Sequence, residues 1–295
     1  MTSIIPSALQ KFQNKWNEGK FVCVGLDTEY SKLPKSIVEN FKSRRDAILE
    51  FNKSIIDSTI DLTLCYKPNS AFYEGEGAEG LEALKKTVEY IKSKDDSLPI
   101  ILDAKRADIG NTNRGYIKMA FEEFGFDAVT VNPYLGTDSL QPFLDEKDKL
   151  IIILCKTSNP SASEIQDLEI SVEDSPKLQN ITKNNHVKIY QFIAFLAKTK
   201  WNSNGNVGLV VGATYPEELS EIRKIAGDMP ILIPGVGSQG GDVNASVKAG
   251  LDSKRQGIMV NSSRGIIYAS SGPDFAESAR KATQKLNEEI VLAIK

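Results

Sequence analysis

The sequence predicts a closed (β/α)₈ TIM barrel of the α/β class, built as a single domain from 295 residues. Three observations carry this reading. Short β-branched apolar runs recur along the whole chain, amphipathic helical stretches lie between them, and polar side chains collect where the runs end. The runs are "FVCVGLD" (21–27), "LTLCYKP" (62–68), "PIILDAK" (99–105), "DAVTVN" (127–132), "LIIILCK" (150–156), "VGLVVG" (207–212), "PILIPG" (230–235) and "QGIMVN" (256–261). They are continuous rather than alternating in polarity, as strands covered on both faces are. An open doubly wound sheet is the rival. It more often has fewer strands and an early glycine-rich turn.

Taken in order, a helical extension over about 1–20 precedes the first run. The helix "EGLEALKKTVEYIKSK" carries Leu81, Leu84, Val88 and Ile91 at helical spacing. "NTNRGYIKMAFEEFG" and "GGDVNASVKAG" both close on glycine. "PEELSEIRKIAGD" opens with proline in its first turn and stops at Gly227. Strand and helix alternating eight times is the rhythm of a barrel. One connection is long: an insertion after strand five, over about 159–200, whose start at Thr157-Ser158-Asn159-Pro160 leaves a strand end and could touch a ligand. Its later acidic part reads as a solvated excursion ahead of a helix within "HVKIYQFIAFLAKTK".

Composition narrows the function classes. Hydrophobic residues at 41% are ample for a large core, and a net charge of −3 gives no support for nucleic-acid or acidic-membrane binding. Cys23, Cys65 and Cys155 sit in apolar strands without CxxC spacing, so they read as reduced core thiols of a cytoplasmic protein. The single histidine, His186, lies in a polar stretch and reads as a solvated surface residue, which leaves little for a histidine-based zinc site or a Ser-His-Asp triad. The N-terminus lacks a signal peptide's apolar core, and no apolar run approaches the roughly 20 residues that span a bilayer.

In a barrel the chemistry sits at the C-terminal strand ends. Strand one ends in Asp27, strand two in Lys67, and strand three in Asp103 and Lys105, with Asp108 in the loop beyond. Residues i and i+2 of a strand share a face, so Asp103 and Lys105 should meet. Any one of these charges alone is better explained by a structural ion pair. Five at one barrel end favour a catalytic site. A lysine flanked by carboxylates keeps its proton and suits proton donation better than Schiff-base attack, which needs a neutral amine. Gly235-Val236-Gly237-Ser238-Gln239-Gly240 matches G-x-G-x-x-G, but it follows the seventh strand and lacks an acidic ribose partner, so a dinucleotide site is disfavoured. Loops after strands seven and eight commonly bind phosphate. Glycine backbone amides, Gln239 and Arg264 supply the donors. The residues by themselves describe a cofactor-free enzyme acting on a small phosphorylated molecule.

The stretch Asp103-Ala104-Lys105-Arg106-Ala107-Asp108-Ile109-Gly110 resembles the D-x-K-x-x-D signature of the orotidine 5′-phosphate decarboxylase family, in its type-2 form. "CVGLD", "YKPNSAFYEGEG", "PYLGTDS", "CKTSNP", "VVGAT", "PGVGSQGG" and "NSSRGIIYA" occur in the family's order, so the likeness spans nearly the whole chain. It implies decarboxylation of orotidine 5′-phosphate to UMP, without metal or organic cofactor. Lys105 would protonate C6, with Asp103 and Lys67 completing the charged array. Asp108, Ile109 and Thr112 would reach the neighbouring subunit's site in a homodimer. Asp27 would bind ribose hydroxyls, Ser158 the pyrimidine, and Gln239 and Arg264 the phosphate, while Pro234 and Gly237 line the pocket. Ala107 stands where many members have glycine, and Ser238 where many have alanine. The alternatives are a Mg²⁺-dependent sugar-phosphate synthase or decarboxylase on the same barrel, and a silent barrel that only binds nucleotides.

Overall fold

The computed structural model describes residues 7–172, 185–236 and 242–295. Its strands are β1 (Val22–Gly25), β2 (Cys65–Lys67), β3 (Ile101–Arg106), β4 (Ala128–Val131), β5 (Leu150–Lys156), β6 (Glu169–Ser171), β7 (His186–Lys188), β8 (Val207–Val211), β9 (Ile231–Pro234) and β10 (Ile258–Ser262). All but β6 and β7 join one eight-stranded parallel sheet in the order β2-β1-β10-β9-β8-β5-β4-β3. Isolated parallel bridges Tyr66↔Ile100 and Asn69↔Asp103 join its two edges, which closes the barrel. Each of the eight runs read as a strand from the sequence overlaps one of these strands, with β3 and β10 each running one residue past it.

Burial follows the continuous apolar patterning. β1, β4 and β8 are buried at every position, because the barrel interior covers one face and the helices cover the other. The helices obey their end signals. Ser43 accepts from the Asp46 amide at the start of Arg44–Thr59, and Gly227 (φ +65°) ends the Pro-initiated Pro216–Ala226 helix. The stretch from 111 to 125 begins as an α-helix (Asn111–Ile117) and continues as π-helical Lys118–Glu123.

The helix Ser7–Asn17 packs against the N-terminal end of the barrel. Phe12 is fully buried, Trp16 Nε1 donates to the Ile258 carbonyl at 2.8 Å, and Lys11 pairs with Asp127 at 2.9 Å. At the same end buried Arg223 donates to the carbonyls of Gly227, Met229, Gly250 and Gly257, tying two connections together. That end is closed by structure, which leaves the opposite end for a ligand.

The long connection after β5 contributes the antiparallel ribbon β6–β7 and the helix Ile189–Leu196. His186 is exposed, as expected, but it lies in a strand of this ribbon rather than in a loop. Residues 173–184 of this connection lie outside the described residues. Cys23, Cys65 and Cys155 are buried free thiols, and burial pushes Cys65 and Cys155 well up.

Candidate active site

A cavity of about 640 Å³ opens at the C-terminal strand ends, within the range usual for small-molecule sites. Asp27, Lys67, Asp103, Lys105, Ser158, Pro234 and Arg264 all line it. Seven residues from six strand ends therefore converge as the strand-end argument requires. Gly237 and Gln239 lie outside the described residues. Leu154, Val210 and Leu232 give the cavity apolar walls from β5, β8 and β9.

Asp103 is the hub. Its Oδ1 accepts from Lys105 Nζ at 2.7 Å and from the Thr130 hydroxyl at 2.8 Å. Its Oδ2 accepts from Lys67 Nζ at 3.2 Å and from Asn69 Nδ2 at 3.3 Å. Burial alone would raise its carboxyl, but the two ammonium groups outweigh that and hold it well below the usual carboxylate range. Lys67 is only 3% exposed. Burial works against its charge, yet Asp27 and Asp103 prevail and the ammonium is held well above the usual lysine range.

Asp27 is the exception to this mutual satisfaction. Its Oδ1 is buried, accepts no hydrogen bond, and stands 3.7 Å from Lys67 Nζ. An orphaned carboxylate oxygen beside a cavity suits a ligand's hydroxyl. The turn that carries it is fixed from behind. Buried Asn52 accepts from the Thr28 hydroxyl at 2.6 Å and donates to Tyr73 Oη at 3.0 Å, while Tyr73 donates to the Leu26 carbonyl at 2.8 Å.

Lys105 reaches Asp103 by a route that simple strand alternation does not describe. Its φ is +50° and that of Ala107 is +131°, so the strand bulges instead of continuing flat. Lys105 then lines the cavity, half-exposed, whereas Arg106 turns away to pair with Glu74 and stack on Tyr116. Asp108, Ile109 and Thr112 do not line this cavity. The Asp108 carboxylate accepts from the Ile109 amide at 2.7 Å, and the Ile109 side chain is 60% exposed.

Ser158 is held by residues the sequence reading did not single out. Gln166 donates to Thr157 Oγ1 at 2.7 Å and accepts from the Thr157 amide at 2.9 Å. Buried Lys156 pairs with Asp167 and lies over the rings of Tyr190 and Tyr215. A Cβ on Gly212 would stand 2.8 Å from Ser158 Cβ, so β8 approaches this turn too closely for any side chain. Arg264 begins the short helix Arg264–Ile267 and makes no ion pair among the described residues, leaving its guanidinium free for an anion. Among the described residues no group of three or more His, Cys, Asp or Glu side chains could hold a metal ion.

Residues 20–282 match the family described as "Orotidine 5′-phosphate decarboxylase / HUMPS family". The chain belongs to this family. An orotidine 5′-phosphate decarboxylase of Cellvibrio japonicus (strain Ueda107) is 44% identical over 290 residues, covering 97% of this chain and 99% of that one. The solved structure of Leishmania donovani OMP decarboxylase has 34% identity and a TM-score of 0.79, covering 98% of this chain and 99% of its own. Leishmania donovani UMP synthase gives the same TM-score at 37% identity, and there the match covers 96% of this chain but only 55% of that protein. Against these decarboxylase-family relatives, the eight-stranded barrel is the shared scaffold, and the charged array lies at its functional end.

Proposed function

We propose that this chain is a carboxy-lyase that converts orotidine 5′-phosphate to UMP and carbon dioxide in pyrimidine biosynthesis. The observation that carries the reading is the Asp27–Lys67–Asp103–Lys105 array sharing one cavity with the free guanidinium of Arg264. The bond from C6 to the carboxylate breaks with its electron pair left on C6. The Lys105 ammonium stabilises that developing charge and passes its proton to C6, and solvent returns a proton to the amine. No organic electron sink takes part in this scheme. Lys67 and Asp103 hold Lys105 in place. Asp27 accepts from ribose hydroxyls, Ser158 contacts the pyrimidine, and Pro234 lines the pocket. Arg264, with Gln239 and Gly237, holds the phosphate, whose binding energy is spent at the reacting carbon.

The rest of the reading follows the same resemblance. The chain is one barrel domain with an N-terminal helical extension over about 1–20 and an insertion over about 159–200. It works as a homodimer in which Asp108, Ile109 and Thr112 complete the partner's site. Exposed apolar side chains on neighbouring loops support this, with Ile109 at 60%, Tyr134 at 82% and Leu135 at 48% exposure. Among the described residues no helix is long and apolar enough to cross a membrane, and buried free thiols suit a cytoplasmic setting.

The test is loss of orotidine 5′-phosphate absorbance by the purified protein, with and without chelator. Turnover to UMP that survives EDTA is expected. Activity abolished by EDTA would point to the Mg²⁺-dependent sister enzymes. UMP binding with the substrate left unchanged would point to a silent barrel.

A further inference from the structure

Thr130 on β4 is fully buried and carries no charge, yet it touches each part of the segment that sets Lys105. Its Oγ1 accepts from the backbone amides of Ala104 and Lys105, both at 3.0 Å, and donates to Asp103 Oδ1 at 2.8 Å. A hydroxyl has one proton and two acceptor lone pairs, so its whole capacity is committed to these three groups. The same Asp103 Oδ1 receives Lys105 Nζ at 2.7 Å.

The register shows why such a residue is needed. β3 and β4 pair regularly at Ile101↔Ala128 and Leu102↔Val129, then jump to Arg106↔Val131. Residues 103, 104 and 105 therefore all stand opposite Thr130 alone. The amides of Ala104 and Lys105 have lost their place in the ladder, and Lys105 sits in the left-handed region with φ +50°. A buried amide left without a partner is costly, and a lysine has no intrinsic preference for that backbone conformation.

We infer that Thr130 is a positioning residue. Its hydroxyl holds the β3 bulge that turns the Lys105 ammonium into the cavity, and it sets the rotamer of the carboxylate that Lys105 grips. This rests on the decarboxylase reading above and adds a residue to it that touches neither substrate nor proton. Valine has nearly the shape of threonine and lacks only the hydroxyl. Serine keeps the hydroxyl and lacks only the methyl.

The experiment is steady-state kinetics with orotidine 5′-phosphate on wild type, Thr130→Val, Thr130→Ala and Thr130→Ser, alongside UMP affinity. A displaced proton donor should lower kcat of the valine variant about 100-fold, with KM and UMP affinity changed less than about threefold. Serine should restore kcat to within about fivefold of wild type. A valine variant with near-normal kcat overturns the inference, as does one whose kcat and UMP affinity fall together. If valine does not fold, alanine leaves space in the core and is read the same way. If neither folds, serine decides: retained kcat supports the inference and a 100-fold loss overturns it. Wild type without decarboxylase activity would sink the functional reading itself, an outcome distinct from all of these.

Discussion

At the residue scale the site depends on how two ammonium groups, a hydroxyl and an amide share one carboxylate. Asp103 takes four hydrogen bonds, two of them from ammonium groups, and so stays ionised although buried. Two expectations follow. Lys105→Ala should lower kcat by at least about 10³-fold while UMP binding persists, read by turnover and by titration with UMP. Near-normal turnover would remove Lys105 from its role. The second concerns acid. The folded Asp103 carboxyl lies below its unfolded value of about 3.9, so its contribution is complete above that pH and is lost as pH falls further. Urea midpoints measured across the acid range should decline below about pH 4. Asp103→Asn should start less stable at neutral pH and show a shallower acid decline. An acid limb as steep in the variant would mean that other carboxylates carry it.

At the scale of single elements, β3 is the decisive strand. The sequence shows Asp103 and Lys105 two residues apart, and the pair does meet, but through a bulge whose sign is two positive φ values. Ala107 is the second residue of that bulge with a positive φ. Its φ of +131° lies where glycine is at ease and alanine is strained. Ala107→Gly should therefore stabilise the protein by about 1 kcal/mol, or raise its melting temperature by roughly 2–4 °C; a drop in melting temperature would show that the bulge is relaxed. The insertion also reads differently once folded. Gln166 and Asp167 looked like part of a solvated excursion, yet they brace the Ser158 turn through Thr157 and Lys156. Nothing in local polarity marks them, because their partners lie nine to eleven residues away across a turn.

At the scale of the whole molecule, the two barrel ends have different tasks. The N-terminal end is fastened by the Ser7–Asn17 helix and the Arg223 carbonyl clasp, while the other end keeps the cavity. Asp108 and Thr112 stay out of their own chain's cavity beside exposed Ile109, which is compatible with the partner-site role that the resemblance implies for them. Mixing Asp108→Ala with Lys105→Ala protein should regain up to about one quarter of wild-type activity per site, since random pairing into symmetric dimers gives half hybrids with one intact site each. Mass measurement should show those hybrids. Hybrids without recovered activity would refute a shared site.

The strand count, the helical connections and the clustering of charge at strand ends were legible in the sequence, because period, burial and end signals are local properties. So was the family, through motifs that keep their order. The bulge that carries Lys105 to Asp103, the roles of Thr130, Asn69 and Gln166, and the orphaned oxygen of Asp27 required the closed barrel. Those features arise where distant segments meet, and a hydroxyl's two acceptor sites carry no mark of which backbone amides will come to occupy them.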